Sequence, residues 1–241
     1  MMLSSDALFS YFIPYESQEM LRRFLVRTYE QQPSFKEKAT KLSYQNAATL
    51  HYEWMIGKTY WQEGMLASFY VQPLLYFYGM THFLKGIILL NDPYYPANSD
   101  VLAHGVTSRK RKKKGYSFLE DEVKVQKRGF FPHFSKELFH VEHVTGEKWQ
   151  MGHLLYSLPY MQSLMQQCQL ADFSSLVKKL HPLAIHFLLL YNLSMICRYE
   201  AEWWGELLTL SHSEDYPVVK HYLMTVAHQV PPLFQPFFMS G

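Results

Sequence analysis

Residues 182–197 contain no Asp, Glu, Lys or Arg. A helix that is apolar on every side has to be enclosed by other elements. The run is short of the roughly 20 apolar residues a membrane span needs, and it includes His186 and Asn192. It therefore predicts a buried central helix with further helices packed around it. The second most apolar stretch, 69–90, carries Gln72, Pro73, His82 and Lys85 and has the same reading, so no membrane partner is expected. The chain has 241 residues, 48% hydrophobic and 18% charged. An average soluble domain is about 25% charged, and a disordered chain needs low hydrophobicity with high charge. The expectation is one helical domain over 1–241. Two cysteines, Cys168 and Cys197, exclude a disulfide scaffold and a four-thiolate metal site.

Helical spacing recurs on both sides of the chain's middle. Residues 16–30 place Met20, Leu21, Phe24, Leu25 and Tyr29 along one stripe, the pattern of an amphipathic helix. Further helices are predicted over 34–62, 67–90, 149–167, 174–210 and 216–228. Gly79 and Gly86 are seven apart on the third of these, where small residues let another backbone come close. Ser213, Glu214 and Asp215 suit a helix N-terminus. Between the helical halves the period changes to two, at Tyr116-Ser117-Phe118 and again over 123–126, as in a strand. Pairing 104–108 with Tyr116–Phe118 across a turn at 109–115 gives a β-hairpin insert at about 104–127. The fold class is thus mainly α, a helical bundle with a small antiparallel hairpin.

The net charge of +2 conceals a local excess. Residues 105–128 hold nine Lys and Arg against three Asp and Glu, whereas the rest of the chain is acidic on balance. Six of those cations are consecutive: Arg109, Lys110, Arg111, Lys112, Lys113 and Lys114. Such a run suits phosphates, because each neutralised phosphate releases counterions. Lys124, Lys127 and Arg128 extend it, and Tyr116, Phe118, Phe130 and Phe131 offer rings for stacking. The bland alternative is a solvated loop.

A second candidate is a polar cleft in the bundle. Ser194, Arg198 and Glu202 follow one another at four-residue steps, so a continuous helix puts them on one face. Arg198 then either pairs with Glu202 or reaches an anion. Tyr78, His82 and Lys85 share a stripe on the third helix, and with His104 and Arg198 they form a cationic pocket if the two helices face each other.

Catalytic signatures are absent. There is no HExxH, CxxC, GxSxG, P-loop or GxGxxG, which leaves metal, acyl-transfer, NTPase and dinucleotide chemistry without a motif. Among the twelve histidines, His140 and His143, with His133 and His153 nearby, lack the carboxylates of a hydrolytic metal site. No metal and no cofactor are expected.

The stretch VLAHGVTSRKRKKKGYSFLEDEVKVQKRGFFPHF, with PLLYFYGMTHFLKGIILLNDPYYP before it and LLLYNLSMICRYEAEWW after it, resembles the YaaC-like proteins of Gram-positive spore-formers. The resemblance covers the chain from the second helix onwards. It implies a cytoplasmic bacterial protein and points to no particular reaction. More weakly, the order of helices and the late helix bearing Arg198 are similar to HEPN domains, many of which are ribonucleases or nucleotide-binding modules. HEPN ribonucleases carry a His four to six residues after the Arg. Here Tyr199 follows Arg198 and the next His is His212, while Gly129 and Pro132 separate Arg128 from His133. The resemblance therefore implies a HEPN-like module that binds RNA, a nucleotide or another phosphorylated small molecule without catalysis. The alternatives are a homodimeric protein-interaction module and a metal-independent ribonuclease that takes its His from elsewhere.

Overall fold

The computed structural model describes residues 5–108, 116–142, 144–170, 173, 177, 180–211 and 213–239. After a short α1 (Ser5–Leu8), the first half holds α2 (Gln18–Glu30), α3 (Ala39–Leu66) and α4 (Gln72–Asn91). The insert contributes β1 (Val106–Ser108), β2 (Glu122–Val125), α5 (Phe130–Phe139) and β3 (Lys148–Gln150). The second half holds α6 (Met151–Tyr156), α7 (Pro159–Gln167), α8 (Pro182–Tyr199), α9 (Ala201–Leu210), α10 (Asp215–Gln229) and α11 (Pro236–Met239). The mainly helical class with a small β-insert is what the sequence leads one to expect.

Helix α2 starts where the Ser17 side chain accepts a bond from the Met20 amide, which satisfies one of the free N–H groups of a helix start. Leu21, Phe24, Leu25 and Tyr29 are buried, but Met20 faces out, 45% exposed. Helix α3 begins later than the sequence suggests, because a 3₁₀ turn over Lys36–Lys38 precedes it. It lies antiparallel to α4 at very close range. A Cβ on Gly57 would meet the Phe83 ring at 2.7 Å and the Gly79 carbonyl oxygen at 3.0 Å; one on Gly86 would lie near Leu50 and Glu53. The glycines of both helices thus set the register that brings α3 side chains beside those of α4.

Helix α8 is the enclosed one. Its residues from Leu183 to Ser194 are all buried, and Phe187 packs on Phe77 of α4 and on Phe130, Phe131 and Phe134 of α5. Among the described residues α4 alone is long and apolar enough to cross a membrane, and most of it is buried inside the bundle.

Several boundaries differ from the reading of the sequence. The 149–167 helix is two, α6 and α7, split before Pro159, and Trp149 belongs to β3. Three residues are too few for a two-residue period to show. The start expected at 174 lies outside the described residues. The stretch running on to 210 breaks at Glu200, whose backbone (φ −124°, ψ 50°) leaves the helical region. The turn lets the Trp204 indole donate to the Tyr70 carbonyl at 3.1 Å and sets Trp203 edge-on to Tyr116. Pro132 falls in the first turn of α5, where proline is tolerated, so a helix does form through His133 while Arg128 stays outside it.

The hairpin partner also differs. β1 pairs antiparallel with β2, Val106 opposite Val125 and Ser108 opposite Val123, and β2 pairs with β3. The segment 116–118 is not in the ladder. The buried Asp215 carboxylate at the start of α10 accepts from the amides of Phe118 and Leu119 and from Ser117 Oγ, at 2.9–3.1 Å. Those amides are thereby withdrawn from strand pairing. Asp121, also buried, accepts from the Tyr116 hydroxyl and from Asn192 Nδ2 of α8, both at 2.8 Å. The two carboxylates fasten the insert to the bundle.

Candidate functional site

The stripe Tyr78, His82 and Lys85 lies on the half-exposed side of α4. On one flank α3 contributes Tyr60, whose ring stacks on His82 with centroids 5.6 Å apart and lies 5.8 Å from Tyr78. Glu53, one helical repeat earlier, puts Oε2 2.6 Å from His82 Nδ1. On the other flank stands His104, edge-on to Phe77 of α4 at 5.1 Å and to Tyr191 of α8 at 5.6 Å. Its position comes from the backbone. The His104 carbonyl accepts from the Phe131 amide at 3.0 Å and that of Ala103 accepts from Phe130 at 2.7 Å, satisfying free donors at the start of α5. The adjoining Gly105 (φ 76°) and Gly129 (φ 128°) leave no room for a Cβ where they cross.

Arg198 lies seven residues after Tyr191 on α8, two turns further along the same face. It is half-buried. Its Nε donates to the Ser194 carbonyl at 2.9 Å, Nη2 lies 3.2 Å from Met195 Sδ, and the guanidinium sits 5.2 Å from the Tyr199 ring centroid. None of these partners is an anion. Lys85 likewise has no carboxylate partner among the described residues. Both are close enough to act on His104: burial first, then the positive charges of Arg198 and Lys85, hold its imidazole below the usual value. His104 is accordingly neutral at pH 7. Burial pushes the Cys197 thiol up to about 11 in spite of Arg198 beside it, so this cysteine is no thiolate nucleophile at neutral pH.

Of the residues picked from the sequence, the structure thus sets His82 and Lys85 on the half-exposed side of α4. It places Lys85 and Arg198 near enough for both to act on His104, whereas the contacts of His82 are with Tyr60 and Glu53 of α3. Glu202 does not join them. The break at Glu200 starts a new helix, and Glu202 is exposed on α9, so the four-residue stripe through Arg198 ends at Tyr199. The cations Arg109, Lys110, Arg111, Lys112, Lys113 and Lys114 lie outside the described residues, as do His143 and His212. Phe118, Phe130 and Phe131 are core residues, each at most 2% exposed, and offer no face for a base. Lys124, Lys127 and Arg128 are exposed, Arg128 paired with Asp100 at 2.8 Å.

Glu53, Tyr60 and Tyr191 were missed by reading the sequence. Glu53 and His82 meet only through the α3–α4 register, whereas Tyr191, two turns before Arg198, had a signal in the helical spacing. Chemically, Lys85 and Arg198, neither with a carboxylate partner among the described residues, stand near the lowered imidazole of His104, which suits an anion. The Glu53 carboxylate is taken up by His82 on the side towards α3. Among the described residues no three His, Cys, Asp or Glu side chains are grouped to hold a metal.

Comparison with known proteins adds one finding. No curated protein and no solved structure gives a match. The family described as YaaC-like protein matches residues 13–178 and 170–238, nearly the whole chain and the same segments that carry the resemblance. The chain belongs to the YaaC-like protein family.

Proposed function

We propose that the half-exposed side of α4, with α3 on one flank and α8 on the other, forms a groove in which the protein binds a phosphate-bearing ligand, RNA or a phosphorylated small molecule, without transforming it. The observation that supports this most is the pair of cations, Lys85 and Arg198, which flank His104 with no carboxylate partner among the described residues. A half-buried cation without a counter-ion carries a desolvation cost that a bound anion offsets. The likeness to HEPN domains enters only through Arg198 on the late helix. α8 stops at Tyr199, so no His follows Arg198 on that helix at the spacing of a HEPN ribonuclease. The six consecutive cations of the insert belong to the same proposal as a further phosphate contact, because β1, which leads into them, begins two residues after His104.

The test is thermal unfolding with inorganic phosphate, a nucleoside triphosphate and a short single-stranded RNA as probes. A ligand at about 100 times its Kd stabilises the folded state by about 2.7 kcal/mol, several degrees in Tm for a chain of this size. The parent is expected to shift with at least one probe. Arg198→Gln and Lys85→Gln break no ion pair, so without ligand each should lie within about 1 kcal/mol of the parent while losing the shift. No shift with any probe, or an undiminished shift in both variants, overturns the proposal.

A further inference from the structure

Helix α3 buries one face against α2 and α4. Among the described residues the opposite face is left uncovered except at Tyr44, whose ring lies 4.5 Å from the Arg22 guanidinium of α2. That outer face carries Lys41, Tyr44, Ala48, Tyr52, Ile56 and Glu63, all exposed, with Tyr44 at 66%, Tyr52 at 58% and Ile56 at 43%. The steps of three, four and seven keep them on one stripe over about 33 Å of helix. A large apolar stripe of this kind is unusual on a surface that nothing covers. Beside its C-terminal half lies a cavity of about 330 Å³ lined by Met55, Ile56, Thr59, Tyr60, Glu63 and Leu75.

The order of residues along the stripe is self-complementary. Tyr52 stands midway between Lys41 and Glu63, eleven residues from each, and midway between Ala48 and Ile56. Two copies of α3 laid antiparallel about a twofold axis at Tyr52 would set Lys41 of each copy against Glu63 of the other. The same axis sets Ala48 against Ile56 and brings Tyr44 to the cavity beside Tyr60. Neither Lys41 nor Glu63 has an ion-pair partner among the described residues. A parallel arrangement would instead oppose like charges at both ends. We infer that the outer face of α3 is a twofold interface, and that its occupant is a second copy of this chain, packed antiparallel.

The area fixes the strength. A strip 33 Å long and one helix diameter, about 10–12 Å, wide covers roughly 350 Å² per copy, less than the ~800 Å² per partner of a standard stable interface. Leu66, Tyr70 and Val71, all exposed just past the stripe, widen it where they reach the partner's α2–α3 turn. The assembly is therefore a concentration-dependent dimer. A second copy meets its own patch, as twofold symmetry requires. Tyr60 lies at the edge of both the proposed ligand site and this face, but Lys41, Tyr52 and Glu63 make no proposed ligand contact, so each reading can fail without the other.

Sedimentation velocity over a wide range of protein concentration tests this. The parent should pass from monomer to dimer. Tyr52→Glu, which places two carboxylates face to face on the axis, should abolish the dimer and leave Tm unchanged. Lys41→Glu alone and Glu63→Lys alone should each weaken dimerisation about tenfold, since each sets like charges together at both ends. The double swap Lys41→Glu with Glu63→Lys should restore the parent's dissociation constant. A parent that stays monomeric throughout, or a dimer indifferent to Tyr52→Glu, overturns the interface. A double swap no better than the single ones overturns the antiparallel register and with it the inference.

Discussion

At the scale of single residues, the bundle contains titratable groups that serve packing as well as ones that face the groove. His186 is fully buried between two rings, stacked with Tyr160 and Tyr222 at centroid distances of 6.2 and 5.8 Å, and its Nδ1 lies 3.0 Å from the Tyr222 hydroxyl. Burial, with a smaller push from His181, lowers its pKa to about 3, against about 6.5 in the unfolded chain. The folded pKa is depressed, so the unfolded state binds the proton first on acidification. The resulting stability is complete above about pH 6.5 and drains as pH falls from there towards 3, by up to about 1.4 kcal/mol per pH unit. His104, lowered for its own reasons, adds a loss of the same sign. Replacing His186 alone by Phe would leave the Tyr222 hydroxyl unpaired, at a cost of about 1–3 kcal/mol. The double variant His186→Phe with Tyr222→Phe removes both partners and should stay near parental stability at pH 7. Urea unfolding at pH 7, 6, 5 and 4 should show the double variant losing distinctly less stability on acidification; identical pH profiles would show that His186 does not titrate in the folding reaction.

At the scale of elements, the glycines of α3 and α4 decide which side chains meet. A Cβ on Gly79 would stand 3.1 Å from the Gly57 carbonyl oxygen and 3.2 Å from the Trp61 amide nitrogen, and backbone atoms yield little. Gly79→Ala gains about 1 kcal/mol of helix propensity and pays for it with overpacking of about 1–3 kcal/mol, so it should lower Tm by a few degrees. Gly205→Ala on α9, where nothing lies within 4 Å of the new Cβ, should raise stability by up to about 1 kcal/mol. A Gly79→Ala protein as stable as Gly205→Ala would mean that the helices are not pinned together there. The close approach was legible in the spacing of Gly79 and Gly86; that Gly57 answers Gly79, and that Glu53 thereby reaches His82, was not, because sequence periodicity fixes a face but no register between helices. The insert was legible as a change of period, whereas its pairing was decided by Asp215, a residue far along the chain that captures the amides of Phe118 and Leu119. The break at Glu200 carries neither Gly nor Pro and follows from the partners of Trp203 and Trp204, which only the tertiary structure supplies. That break is also why Glu202, on the right face of an unbroken helix, stands apart from Arg198.

At the scale of the whole molecule, two cationic regions compete for the role of phosphate contact: the groove with Lys85 and Arg198, and the insert, where 105–128 gathers nine basic residues against three acidic ones in a chain whose net charge is only +2. Salt dependence separates them. On a single strand, each contacted phosphate contributes about −0.7 to the slope of log affinity against log salt. Replacing Lys112, Lys113 and Lys114 by Gln should reduce the magnitude of the slope for a short RNA by roughly two if all three make contacts. Lys85→Gln with Arg198→Gln should reduce it by about 1.4 if the groove holds two phosphates. The insert variant should keep parental stability if the three lysines are solvated, since exposed substitutions usually fall within about 0.5 kcal/mol. A phosphate-bearing small molecule would depend on the groove variant alone, because a compact ligand seated beside His104 has no chain to extend along the insert. Filter binding of the parent and both variants at several salt concentrations, repeated with a nucleoside triphosphate as competitor, reads both regions at once. RNA affinity whose slope ignores both sets of substitutions would leave neither region as the phosphate site. A slope that falls only for the insert variant, with a competitor that displaces nothing, would move the site from the groove to the basic run.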